Sequence, residues 1–173
     1  MRNRLTHEGS TFINFRKYKF QDSRSPAYRW VDIKCLRLPV ESVGDRDLLG
    51  ALIGHEQFRD DYAGGGVLRE GLRHGPYWLS AVTPDVYRAV GREESDHVLW
   101  EWANQFEDVP ADLARDLQRE VFDRLAAADR IYRLSELDEE ALHDWGGVHC
   151  DFHEFVLIDR SAGRITLLVA ADD

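Results

Sequence analysis

The residues best equipped for chemistry sit close together, in the stretch 143–153, which reads HDWGGVHCDFH. It holds His143, His149 and His153, three of the chain's seven histidines, and Cys150, one of its two cysteines. His149, Asp151 and His153 alternate just ahead of a strongly apolar run. On an extended strand residues i, i+2 and i+4 share a face, so these three would present two imidazoles and a carboxylate together. Such a set suits Zn²⁺ or non-haem Fe²⁺. Cys150 between two histidines would be a thiolate nucleophile only if an imidazole reached it, and immediate strand neighbours point to opposite faces. The competing reading is plain: polar residues following a Gly-Gly turn commonly bond carbonyls or water. No spacing diagnostic such as HExxH or paired CxxC is present.

Other chemistry-bearing patterns are weaker. Glu107-Asp108 and Glu139-Glu140 are adjacent carboxylate pairs, whereas glycosidic carboxylates face each other from separate elements. Gly64-Gly65-Gly66 lacks the preceding strand and the Gly-Lys-Ser/Thr ending of a phosphate loop, so it reads as a connection.

The elements that must position these residues follow from periodicity. Residues 1–27 form a polar, basic arm in which Thr11–Phe20 has the aromatic spacing of an edge strand; 28–173 form the globular body. Tyr28–Leu38 alternates as a strand, with Val31, Ile33 and Cys35 on one face, and Pro39 closes it. Five helices are expected: 45–62 with a Leu48/Leu49/Leu52 stripe, 84–90 behind Thr83-Pro84, 95–106, 110–128, and a short acidic one from Ser135 to about Trp145. Phe152–Asp159 and Arg164–Ala170, joined by Arg160-Ser161-Ala162-Gly163, read as a hairpin apolar on both faces and therefore buried. The expected fold is a single α+β domain, about five helices on a small, mainly antiparallel sheet that includes this C-terminal hairpin.

Composition narrows the function classes. The net charge is −10. Residues 1–37 carry nine Arg/Lys against Glu8, Asp22 and Asp32, a balance of +6, which leaves −16 for residues 38–173. That acidity argues against nucleic acid and anionic membrane and suits a partner protein with a basic surface. No apolar run approaches the roughly 20 residues of a membrane span. The first twenty residues have no apolar signal core, and two cysteines make no disulfide framework, so a reduced cytoplasmic protein is expected.

Acidity, a tryptophan-rich middle and the lack of a catalytic motif together favour a non-enzymatic interaction protein that masks its partner. The compact acidic α+β layout is similar in outline to bacterial immunity and antitoxin-type proteins, a likeness of composition that rests on no motif. It implies a basic toxin as partner and no cofactor. Within that reading Trp100, Glu136, Glu139 and Glu140 are the expected interface. The alternative is a small zinc or iron enzyme built on His149, Asp151 and His153.

Overall fold

The two long C-terminal strands hold the centre of the molecule because their side chains are apolar on both faces and need cover from both sides. The computed structural model describes residues 4–144 and 146–173. Its main sheet has six antiparallel strands in the order β1-β2-β8-β7-β6-β5: β1 (Thr6–Asn14), β2 (Arg29–Arg37), β5 (Tyr87–Val90), β6 (Arg130–Leu134), β7 (Asp151–Asp159) and β8 (Arg164–Asp172). A separate two-stranded ribbon pairs β3 (Arg73–His74) with β4 (Tyr77–Trp78). Three helices pack against the sheet among the described residues: α1 (Asp45–Ile53), α2 (Arg92–Ala103) and α3 (111–127). The last is α-helical over Ala111–Leu117 and Asp123–Ala127, with a π-helical turn over Gln118–Phe122.

One face of the sheet carries Leu36, Val156, Ile158, Ile165, Leu167 and Val169. It is covered by α1 and by the irregular segment 54–82 through Phe58, Tyr62, Tyr77 and Val82. The opposite face carries Val31, Ile33, Phe155, Leu157, Leu168 and Ala170, beneath α2, α3 and the arm residues Phe15 and Phe20. Because side chains alternate along a strand, this two-sided burial is what a continuous apolar run requires.

The expectation of five helices on a small sheet is therefore corrected. The helix expected over 45–62 stops at Ile53, where Gly54 follows and His55 opens a separate 3-10 turn. Residues 84–90 form a 3-10 turn, Pro84–Val86, and then strand β5. A seven-residue helix is marginal in isolation, while strand pairing with β6 satisfies the same backbone and places Tyr87 over the sheet. The acidic helix reduces to the 3-10 turn Glu139–Ala141, capped by the Asp138 side chain; its expected end at Trp145 lies outside the described residues. β6 had no counterpart among the expected elements. It follows α3 after only two residues, and Ile131 and Leu134 are its buried apolar positions, too short a pattern to stand out.

The arm is tied down by a buried cation. Arg29, at the start of β2, is fully buried, and its guanidinium donates to the carbonyls of Trp102 (2.8 Å), Ala103 (2.6 Å), Ser25 (2.7 Å) and Pro26 (3.3 Å). It thus satisfies carbonyls at the C-terminal end of α2, where the helix dipole favours positive charge. Phe15 and Phe106 flank the same guanidinium, 4.7 and 5.1 Å from their ring centroids. Burial opposes its charge, and the carboxylates of Asp172 and Asp151 support it. Replacing Arg29 by Met removes four acceptor contacts at once; urea denaturation should show a loss of about 3 kcal/mol or more, with Arg29→Lys recovering only part of it. A loss under 1 kcal/mol would rule out Arg29 as the anchor.

Candidate functional site

The sheet divides the residues that sequence placed together. His149 lies just before β7 and turns to the α1 face, where its ring meets Trp30 edge-on at 6.2 Å and Phe152 at 5.5 Å. Its Nδ1 bonds Asp173 Oδ1 at 2.8 Å and its Nε2 bonds the Asp61 carbonyl at 2.9 Å. Both nitrogens are engaged by oxygens of the protein itself. His153 is on the opposite face, 6.3 Å from the Trp102 ring, and accepts from Arg133 at 3.5 Å through Nδ1. Burial, reinforced by Arg133, holds its pKa below the usual histidine range. Asp151 shares the His153 side of the strand. His143 bonds the Gly75 carbonyl through Nε2 at 2.6 Å, and Cys150 is exposed. Among the described residues no group of three His, Cys, Asp or Glu side chains is placed to hold a metal ion.

The four residues of the expected interface are also separated. Glu136 lines a cleft of about 580 Å³ at the ends of β6 and β7. Trp100 lines a shallower neighbour that shares Arg133, Asp151 and His153 with it, and stacks edge-on against Phe122. Glu139 and Glu140 are exposed on their 3-10 turn and line neither cleft.

The arrangement with the most developed chemistry lies on the α1 face at the β1–β2 edge, and His149 turns out to buttress it. Phe12, Trp30 and Tyr62 form a stack, with ring centroids 5.7 Å and 5.4 Å apart. The outer ring, Phe12, is 58% exposed, and nearby Tyr28 is 60% exposed. A groove of about 420 Å³ runs over these rings and is lined by the carboxylates of Asp32, Asp60 and Asp173 and by the Gly64–Gly66 turn. Asp173 accepts from Trp30 Nε1 at 3.2 Å and from His149, so one carboxylate fixes both the indole and the imidazole. Cations already use two of the aromatic faces: Arg16 lies over Tyr28 at 4.8 Å, and Lys34 over Tyr62 at 4.5 Å.

A buried polar network sets the groove's floor. Lys34, on β2, is buried; its ammonium donates to Asp60 Oδ2 at 2.8 Å and to the Tyr62 hydroxyl at 3.1 Å, with Asp32 Oδ2 at 3.6 Å. Asp60 Oδ1 accepts the Tyr62 backbone N–H at 2.8 Å and so holds that residue at a φ of +56°, a conformation non-glycine residues rarely adopt. Farther along the same face, Glu154 accepts from the Tyr87 hydroxyl and bonds His74 Nε2. His74 Nδ1 donates to the Phe58 carbonyl at 2.6 Å, and its ring lies flat on Phe58, 3.5 Å between centroids. The imidazole thus bridges the Phe58 carbonyl and the Glu154 carboxyl. Gly75, at a φ of +52°, completes the β3–β4 turn; a Cβ there would strike the Phe152 ring at 2.4 Å.

Asp32 is the strained member. Its Oδ2 is buried without a hydrogen-bond partner. Burial raises its pKa above the usual aspartate range and Asp60 adds to this, while Lys34 pulls the other way. A carboxyl whose pKa is higher folded than unfolded stabilises the fold when protonated, and that contribution is lost as pH rises through the folded value. Asp32→Asn, which mimics the protonated form, should therefore be more stable than the parent at neutral pH, with the gap closing as pH falls through the raised folded value to the ordinary aspartate range. Denaturation midpoints at several pH values test this; an Asn variant less stable at neutral pH would show that the Lys34 contact outweighs burial.

In the sequence Phe12 and Trp30 stand only as aromatics of two separate strand candidates, with nothing that pairs them. The carboxylates of the groove come from distant segments, and only the fold assembles them.

Comparisons with known proteins leave the chain without a family. No family model matches it, and no curated protein does. Two crystal structures of citrus MAF1, in different space groups, are similar at low level: 11% identity with a TM-score of 0.42, covering 91% of this chain and 92% of that one, and 10% identity with a TM-score of 0.38, covering 91% and 93%. No helix among the described residues is long and apolar enough to cross a membrane.

Proposed function

We propose that this chain is a non-enzymatic interaction protein whose β1–β2 groove captures a cationic side chain from a partner with a basic surface. The observation that carries the reading is the three-ring stack of Phe12, Trp30 and Tyr62 beside Asp32, Asp60 and Asp173. Aromatic faces attract cations through their quadrupole, and a neighbouring carboxylate adds direction. Arg is the better fit of the two common cations, since its flat guanidinium can stack on Phe12 while forking to a carboxylate.

The acidic balance of the body, −16 over residues 38–173, supports the same reading by drawing a basic partner toward the surface before contact. A strained, half-desolvated Asp32 supports it as well, because a carboxylate kept at a cost to folding is one that a bound cation would relieve. We extend the proposal to masking of a basic toxin, in the manner of an immunity or antitoxin protein, and to a cytoplasmic setting. Cys35 and Cys150 are free thiols, which suits a reducing compartment.

The test is a tryptophan-fluorescence titration with a capped Gly-Arg-Gly peptide, its lysine analogue and its neutral citrulline analogue. The arginine peptide should bind saturably and perturb Trp30, the lysine peptide more weakly, the citrulline peptide not at all. Phe12→Ala and Asp32→Asn should each weaken the arginine peptide by about tenfold, the scale of a partly desolvated cation–π or charge-assisted contact. Equal binding of arginine and citrulline peptides would overturn the reading.

A further inference from the structure

On the other side of the segment that closes the aromatic groove lies a cavity of opposite character. It occupies about 830 Å³ between the start of β1 and the end of α1, and Arg4, His7, His55, Arg59 and Arg69 line it against a single carboxylate, Glu56. Three guanidiniums gathered round one acid are unexpected in a chain of net charge −10. Their own partners are few. Arg69 reaches Glu56 at 3.2 Å while remaining largely exposed. Arg59 donates to the Arg69 carbonyl at 3.1 Å, and its Nε is buried with no partner. Arg4 makes no ion pair among the described residues.

The fold gathers these groups on purpose-built positions. The register of β1 shifts between His7 and Gly9, so His7 and Ser10 both reach the α1 face, and His7 Nε2 bonds Ser10 Oγ at 2.9 Å. His55 Nδ1 accepts the Gln57 backbone N–H at 3.1 Å, and the same ring is hydrogen-bonded to the Leu5 backbone, which fixes it at the wall of the cavity. Burial lowers the His55 pKa; Glu56 works against this, and His7 and Arg4 add to it. Leu5 and Ala51 supply apolar wall.

We propose that this notch is a binding site for a phosphate-class dianion carried on a small organic molecule. Guanidinium forks match phosphate oxygens two at a time, and an unpartnered buried Nε gains most from an acceptor. The volume and the apolar wall exceed what a bare ion fills, so the phosphate arrives as an ester. The site is spatially separate from the aromatic groove: the segment 59–69 stands between them.

Calorimetry and histidine-detected NMR at low ionic strength would test it, with inorganic phosphate, sulfate and phenyl phosphate as probes and chloride at matched ionic strength as control. Saturable one-to-one binding that moves the His7 and His55 imidazole signals is expected, with phenyl phosphate the tightest. Arg4→Gln and Arg69→Gln, both at exposed positions where folding is not at stake, should each weaken phenyl phosphate by several-fold, and Arg59→Gln by about tenfold. Phenyl phosphate binding no better than inorganic phosphate would overturn the organic ester. Shifts reproduced by chloride, or unchanged affinity in all three variants, would overturn the site itself and leave the arginines as counter-charges to the α1 C-terminus.

Discussion

A lysine buried in the middle of a β-sheet has to be given carboxylates, and the α1 face is organised by that requirement. Lys34 lies on β2 with an ammonium almost out of reach of water, where an unpaired charge is untenable. Asp32 is on the same strand but 3.6 Å away and without hydrogen-bond geometry, so the stronger partner must come from elsewhere. Asp60 provides it from the irregular segment, and in doing so draws residues 58–62 down onto the sheet. Glu154 makes the same demand two strands away and is answered by His74 and Tyr87. Two buried charges thus fix both ends of a segment that has almost no regular structure of its own.

The contrast between the two faces follows. On the α2 and α3 side the middle of the sheet is apolar and its one large buried cation, Arg29, is met by helix-end carbonyls, so regular helices cover it. Where Lys34, Asp32 and Glu154 interrupt the apolar surface, irregular segments that bring the Asp60 carboxylate and the His74 imidazole down to Lys34 and Glu154 cover it beside α1. Irregular cover leaves gaps at its margins. The aromatic groove and the arginine-lined notch are both such gaps, one on each side of the same segment.

How much of this was legible in the sequence depends on the range of the interactions involved. The final hairpin was readable almost to the residue, since a doubly apolar run with Gly163 late in its loop has few other solutions. β2 was readable for the same reason, as alternation over nine residues leaves little choice. β5 and β6 were not, because four- and five-residue strands carry too little pattern and exist by pairing with each other and with β7. The triad of His149, Asp151 and His153 assumed that β7 begins before His149. It begins at Asp151, and the Asp173 and Asp61 oxygens hold the preceding imidazole on the other side of the sheet. Single-strand periodicity cannot locate a strand's first residue when long-range bonds decide it.

The same logic explains why neither recess on the α1 face was visible beforehand. Arg59 and Asp60 are neighbours in the chain, and over the two residues their charges cancel. In the fold the backbone bridge from Asp60 to Val67 narrows the segment into a wedge. Asp60 then turns toward Lys34 and the aromatic groove, while Arg59 lines the notch with Arg69. Charge that cancels over two residues is thereby separated into two sites of opposite sign. Any substitution that loosens the Lys34–Asp60 contact would let the wedge rotate and blur both at once, which makes a buried ion pair of modest net stability a determinant of surface chemistry on either side of it.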